Sequence, residues 1–127
     1  MKGSFPIEQF NNLETPFYYY DTTVLQDTLD VIKKKLKDRD QYRVHYAMKA
    51  NVNPDLLKII KNNGFGADCV SGLEIERSIA EGFSPSDIVF AGVGKTDREI
   101  LIGLENQIMS FNIESVQELQ VIGDLAT

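Results

Sequence analysis

Apolar residues along the chain recur at two different spacings, and the two spacings alternate. Leu25, Leu29, Ile32 and Leu36 lie three or four residues apart, which predicts an amphipathic helix over about 22–38. Asp21, Thr22 and Thr23 precede it as N-cap candidates. The run PFYYYD at 16–21 is aromatic and β-prone, so a strand is expected there.

From residue 43 the alternation becomes regular. VHYAMK at 44–49 predicts a strand; Asn53 then caps a helix with Pro54 in its first position, and Gly64 closes it. GADCV at 66–70 predicts a second strand, followed by a helix from Ser71 to Gly82. IVFAG at 88–92 predicts a third strand, with a helix opened by Thr96. IMSFNI at 108–113 predicts a fourth, and Ser115 opens a last helix that runs almost to the C-terminus. Ser71–Glu74, Thr96–Glu99 and Ser115–Glu118 each fit the capping box, in which a hydroxyl and a glutamate satisfy free helix amides reciprocally.

Such alternation predicts an α/β fold with a parallel sheet and right-handed crossovers. An open doubly wound sheet and a (β/α)8 barrel both satisfy it. A barrel takes about 250 residues; the 127 residues here hold about four βα units. The final VIGDLAT brings no closing strand, so a chain cut in mid-fold is expected. Residues 1–40 then form a leader, strand and helix, and 41–127 a partial barrel domain.

Composition narrows the function classes. A formal net charge of -6 argues against a nucleic-acid binder, which presents a basic face. KKKLKDR at 33–39 reads as the solvated face of a helix. Cys69 is the sole cysteine and His45 the sole histidine, so neither an intrachain disulfide nor a multi-cysteine metal site is possible, and no metal is expected. No run reaches the ~18 apolar residues of a membrane span. MKGSFPIEQF lacks a secretory h-region, so a cytoplasmic protein is expected. GVGKT at 92–96 approaches a P-loop, but Val89 stands where the signature needs glycine, and a βα turn is the better reading.

The sharpest feature is RVHYAMKAN at 43–51, where a lysine ends an apolar strand although buried charge is costly. With period two, Lys49, Ala47 and His45 share one face, and Met48, Tyr46 and Val44 the other. Ala47 and Ala50 are small and leave room around the amine. Lys49 either snorkels to solvent or offers an amine able to form a Schiff base with a carbonyl. Asp68, a carboxylate inside the neighbouring strand, either orients that lysine or a cofactor, or serves as an ion-pair or turn residue. Glu74 reads as the capping partner of Ser71, Cys69 as a small buried hydrophobe facing the helices, and His45 as a satisfied core histidine.

TPFYYYD, HYAMKAN, GADCVSGLEIE, SDIVFAGVGKTDREI and FNIESVQEL, in that order, resemble the start of the diaminopimelate decarboxylase family. That family belongs to the alanine-racemase-like class of pyridoxal-phosphate enzymes. The resemblance implies pyridoxal 5'-phosphate carried on the lysine of the YAxKAN motif, Lys49 here. It implies a (β/α)8 barrel followed by a β-domain to which the PFYYYD strand belongs, so that this strand is an orphan here. Asp68 and Glu74 match the acidic positions of the family's D-x-x-S-x-x-E stretch beside the cofactor. It implies decarboxylation of meso-diaminopimelate to lysine and carbon dioxide, by a homodimer. Related decarboxylases acting on ornithine, arginine or carboxynorspermidine are the second reading, and a non-catalytic, self-associating half-barrel is a third, from a different class. Relatives often read HGNNK where this chain has AGVGK at 91–95, so no role transfers to that loop. The family's phosphate loop, its acidic partner for the pyridine nitrogen and its catalytic cysteine lie further along than any residue here, so the chain by itself is expected to be inactive.

Overall fold

The computed structural model describes residues 3–127, which divide into two compact units after Tyr42. In the first, α1 (Ile7–Phe10) is a single turn and α2 (Thr22–Leu36) a four-turn helix. Asp21 caps α2 by accepting the amides of Thr23 and Val24 at 3.0 and 3.2 Å. Its second carboxylate oxygen accepts the Ser4 amide at 2.8 Å. The Ser4 amide, then that of Val24, hold its carboxyl below the usual value. Phe10 gathers Phe17 and Tyr19 at ring separations of 5.3 and 5.0 Å.

Residues 16–21, expected as a strand, form no ladder. Tyr18 and Tyr20 stack 6.4 Å apart, the same-side placement of alternate residues in extended backbone. A strand requires a partner for its amides and carbonyls, and no described segment pairs with this one.

The second unit is the alternating one. Its strands are β1 (His45–Ala47), β2 (Gly66–Cys69), β3 (Ile88–Phe90) and β4 (Ser110–Phe111). The helices following them are α3 (Pro54–Asn62), α4 (Gly72–Ala80), α5 (Asp97–Glu105) and α6 (Val116–Leu125). All three ladders are parallel, in the order β1-β2-β3-β4, with His45 opposite Gly66, Ala67 opposite Ile88 and Val89 opposite Ser110. Each strand pairs with the next along the chain and the order never reverses. That is the winding of a barrel; a doubly wound sheet reverses its strand order at a switch point.

The helices form where the caps and apolar spacing direct them. The Asn53 side chain accepts the Asp55 and Leu56 amides, and Pro54 begins α3 without losing a bond, since its missing N–H would have been free anyway. Leu57 and Ile60 of α3, Ile75 of α4 and Ile100 of α5 are buried almost completely, as are Ile88, Phe90 and Cys69 of the sheet. At about 2 kcal/mol for each large apolar side chain removed from water, this layer is the main support of the unit. Gly66 is required at its position. A Cβ there would collide with the His45 ring and the Asp87 carbonyl, so the imidazole lies directly over the strand.

The strands are shorter than the pattern suggests, and at the end of β1 the difference matters. Met48–Ala50 is a turn of 3-10 helix, so Lys49 sits just beyond the strand, in the connection to α3. The local hydrogen bonds explain the break. The Tyr46 hydroxyl donates to the Asn51 carbonyl at 3.1 Å, and the Asn51 side chain accepts the Asn53 amide at 2.9 Å. The backbone is thereby turned away from the sheet before Lys49 could pair. Met48 is fully buried and Lys49 exposed.

Candidate active site

A parallel sheet sends every strand into its helix at the same edge, so the four βα connections converge on one rim. The three acidic and basic candidates lie along it. Lys49 follows β1 and is exposed; among the described residues it has no ion-pair partner. Asp68 is in β2 opposite Ala47, two residues before Lys49. It is half-buried, and its Oδ1 is fully buried with no hydrogen-bond partner. A buried carboxylate oxygen left without a donor is costly, about 1–3 kcal/mol or more. Such a position suits a site that receives a donor from outside the chain. A free amine just past one strand and an unsatisfied acceptor in the next, on the same rim, fit an aldehyde cofactor held through the lysine.

Glu74 is placed differently from Asp68. Its carboxylate accepts the Val70 amide at 2.8 Å, and its own amide donates to the Ser71 hydroxyl at 3.3 Å. It therefore fastens the β2–α4 connection, and the structure gives its carboxylate this local task. The reciprocal box expected with Ser71 does not form, because the glutamate reaches one residue further back, to Val70. Glu118 does the same, accepting the Glu114 amide at 2.7 Å while Ser115 takes the Glu118 amide at 3.1 Å. Of the three expected boxes, Thr96–Glu99 closes reciprocally.

Glu99 also accepts the Gly72 amide at 3.1 Å, tying the start of α4 to the start of α5. The Thr96 and Gly72 amides hold its carboxyl below the ordinary glutamate value. Cys69 lies on the helix side of β2, fully buried, with its Sγ 3.4 Å from the Ser78 hydroxyl. Burial pushes its thiol up to about 11, despite that hydroxyl, with Glu74 and Asp68 adding to the rise.

The residue that sequence reasoning passed over is Lys95. Its side chain is 1% exposed, and its Nζ donates to the Gly92 carbonyl at 2.7 Å, the Asn112 carbonyl at 2.9 Å and the Glu118 carboxylate at 2.6 Å. The same ammonium lies 5.3 Å from the centre of the Phe90 ring. Two of its partners, Asn112 just after β4 and Glu118 in α6, lie 17 and 23 residues on, beyond the reach of any periodicity. The one available signal was a lysine between a double-glycine turn and a helix cap.

The sheet order defines a segment of a parallel βα barrel. Residues 24–127 match the family described as pyridoxal-dependent decarboxylase, pyridoxal binding domain, and the chain belongs to that family. It is 57% identical over 126 residues to a diaminopimelate decarboxylase of Bacteroides thetaiotaomicron, a match covering 99% of this chain and 33% of that protein. The crystal structure of diaminopimelate decarboxylase from Helicobacter pylori complexed with L-lysine superposes with a TM-score of 0.84 at 37% identity, over 94% of this chain and 30% of that one. Ornithine decarboxylase of Entamoeba histolytica gives 0.81 at 29% identity, covering 94% of this chain and 37% of that one. The chain thus spans about a third of the length of the proteins it matches. Among the described residues no helix is long and apolar enough to cross a membrane.

Proposed function

We propose that this chain supplies the cofactor-bearing lysine of a decarboxylase that converts meso-diaminopimelate to lysine and carbon dioxide, acting as a homodimer. The observation that carries the reading is that one rim of the sheet presents both an exposed, unengaged Lys49 and a buried Asp68 oxygen without a partner. The high identity to a diaminopimelate decarboxylase favours that substrate. Likeness to an ornithine decarboxylase keeps a second basic amino acid as the competing substrate.

Pyridoxal phosphate, when bound, supplies an aldehyde for an amine and a sink for the electron pair left as carbon dioxide departs. Lys49 would hold the cofactor through its amine, and would be released from it while the substrate's amino group is engaged. In that interval its amine is free to carry a proton. Asp68, whose buried oxygen has no partner in the chain, would accept a hydrogen bond from a cationic amine brought to it when the site is filled. Glu74 keeps the β2–α4 connection fixed beside them through the Val70 amide. The backbone of the 3-10 turn sets the height of Lys49 above the sheet, and Met48, anchored in the core, keeps the turn from sliding.

The test is borohydride reduction of the chain with pyridoxal phosphate, read by peptide mass spectrometry. Lys49 should be labelled well ahead of the exposed lysines of α2, and Lys49→Ala should remove that preference. Labelling of Lys49 no faster than Lys33–Lys35 would overturn the reading. Carbon dioxide release from meso-diaminopimelate against ornithine, by the enzyme that contains this chain, decides the substrate.

A further inference from the structure

Lys95 has no part in the chemistry just described, yet it is the most completely buried charge on the rim. An ammonium taken out of water is stable only when its donors are all used. Lys95 uses all three, on partners from three separate places: the Gly92 carbonyl after β3, the Asn112 carbonyl after β4, and the Glu118 carboxylate in the first turn of α6. The Phe90 ring closes the remaining side.

The segments it joins are tied to the sheet by two further bonds, the Ala91 amide to the Cys69 carbonyl and the Asn112 amide to the Phe90 carbonyl, each at 2.8 Å, but the turn that follows β3 is not. Gly92 and Gly94 both take positive φ, +91° and +74°, a backbone open to many alternatives when free. Strand β4 contributes two residues to its ladder. The turn between the glycines is exposed at Val93, so apolar packing does not secure it. Gly92 in turn lies against Val70, its would-be Cβ 3.5 Å from that side chain, so the end of β3 borders the end of β2. A cleft of about 340 Å3 opens beside the pair, lined by Val93, Lys95, Glu114 and Glu118 among others.

We infer that Lys95 is a positioning residue: its ammonium clamps the ends of β3 and β4 together and, through Gly92 and Val70, fixes the rim on which Lys49 and Asp68 stand. This rests on the reading of that rim as the cofactor-binding face. Glu118 is the counter-charge that makes burial of the ammonium tolerable, and the Asn112 carbonyl is the contact that carries the clamp from one strand end to the next.

The experiment compares the chain with its Lys95→Met and Lys95→Arg variants by two readouts. In Lys95→Met, amide exchange at 92–94 and 112–114 should rise by about tenfold or more, the loss of charge-assisted bonds. Exchange at Ile60 and Ile75 should stay unchanged, showing the fold intact. Borohydride labelling of Lys49 at limiting pyridoxal phosphate should slow in parallel, and Lys95→Arg should restore much of both. Unchanged exchange at the two strand ends would overturn the clamp. Raised exchange with undiminished Lys49 labelling would reduce Lys95 to a local structural role and overturn the positioning claim. Should Lys95→Met fail to fold, the Lys95→Met/Glu118→Gln double variant removes both charges and is judged by the same criteria. Absence of preferential Lys49 labelling in the unsubstituted chain would sink the functional reading itself, and the exchange readout would then judge the clamp by itself.

Discussion

Cys69 and Gly66 sit in the same short strand and make opposite demands on their surroundings. The Cys69 thiol, raised to about 11 chiefly by burial, is protonated throughout the neutral range. A thiol-alkylating reagent at mildly alkaline pH should therefore label the folded chain more than about a hundredfold slower than the denatured chain, as followed by intact mass. Comparable rates would mean that β2 opens readily. Gly66→Ala drives a methyl into the His45 ring and the Asp87 carbonyl. It should cost about 1–3 kcal/mol in urea unfolding, the range for overpacked sites. Lys49 stands out in the sequence because a charge at an apolar strand end breaks a pattern. Its exact height does not, since the 3-10 turn that lifts it out of β1 depends on Tyr46 and Asn51 bonding across the connection. Lys95 was illegible because what gives it meaning arrives from other strands.

Helices are the elements best read from the chain, because caps are local chemistry. Asn53, Ser71, Thr96 and Ser115 all cap where they were expected. What the glutamates of the capping motifs do with their carboxylates was less legible. A carboxylate on a flexible stem chooses among nearby amides, and two of three chose the residue before the cap. Thr96→Ala removes the hydroxyl that caps α5 and should cost about 1 kcal/mol by the same unfolding measurement. Glu99 and Glu118 have folded-state carboxyl values below the ordinary 4.5, the first through the Thr96 and Gly72 amides, the second chiefly through Lys95. Groups lowered in this way add stability that is fully present above about 4.5 and is lost as pH falls through the folded values. Stability measured between pH 6 and pH 3 should thus decline steeply in the native chain and less steeply in Glu99→Gln. Equal slopes would show that the two amides do not prefer the charged form.

At the scale of the whole molecule, alternation of β and α stretches was enough to predict a parallel sheet, whereas the choice between barrel and doubly wound winding was not in the pattern. The winding depends on which edge each new strand joins, and no single residue encodes that. Here each strand joins the one made just before it, β1 to β4 in order. That simple order bears on how the chain acquires its structure as well as on what the structure is. Every ladder closes over one intervening helix, so the loop to be closed never grows as the sheet does, and its entropic cost stays nearly constant from one unit to the next. Each finished unit also leaves a free edge as the template for its successor. A chain emerging from the ribosome can consequently set its strands one after another without waiting for anything downstream.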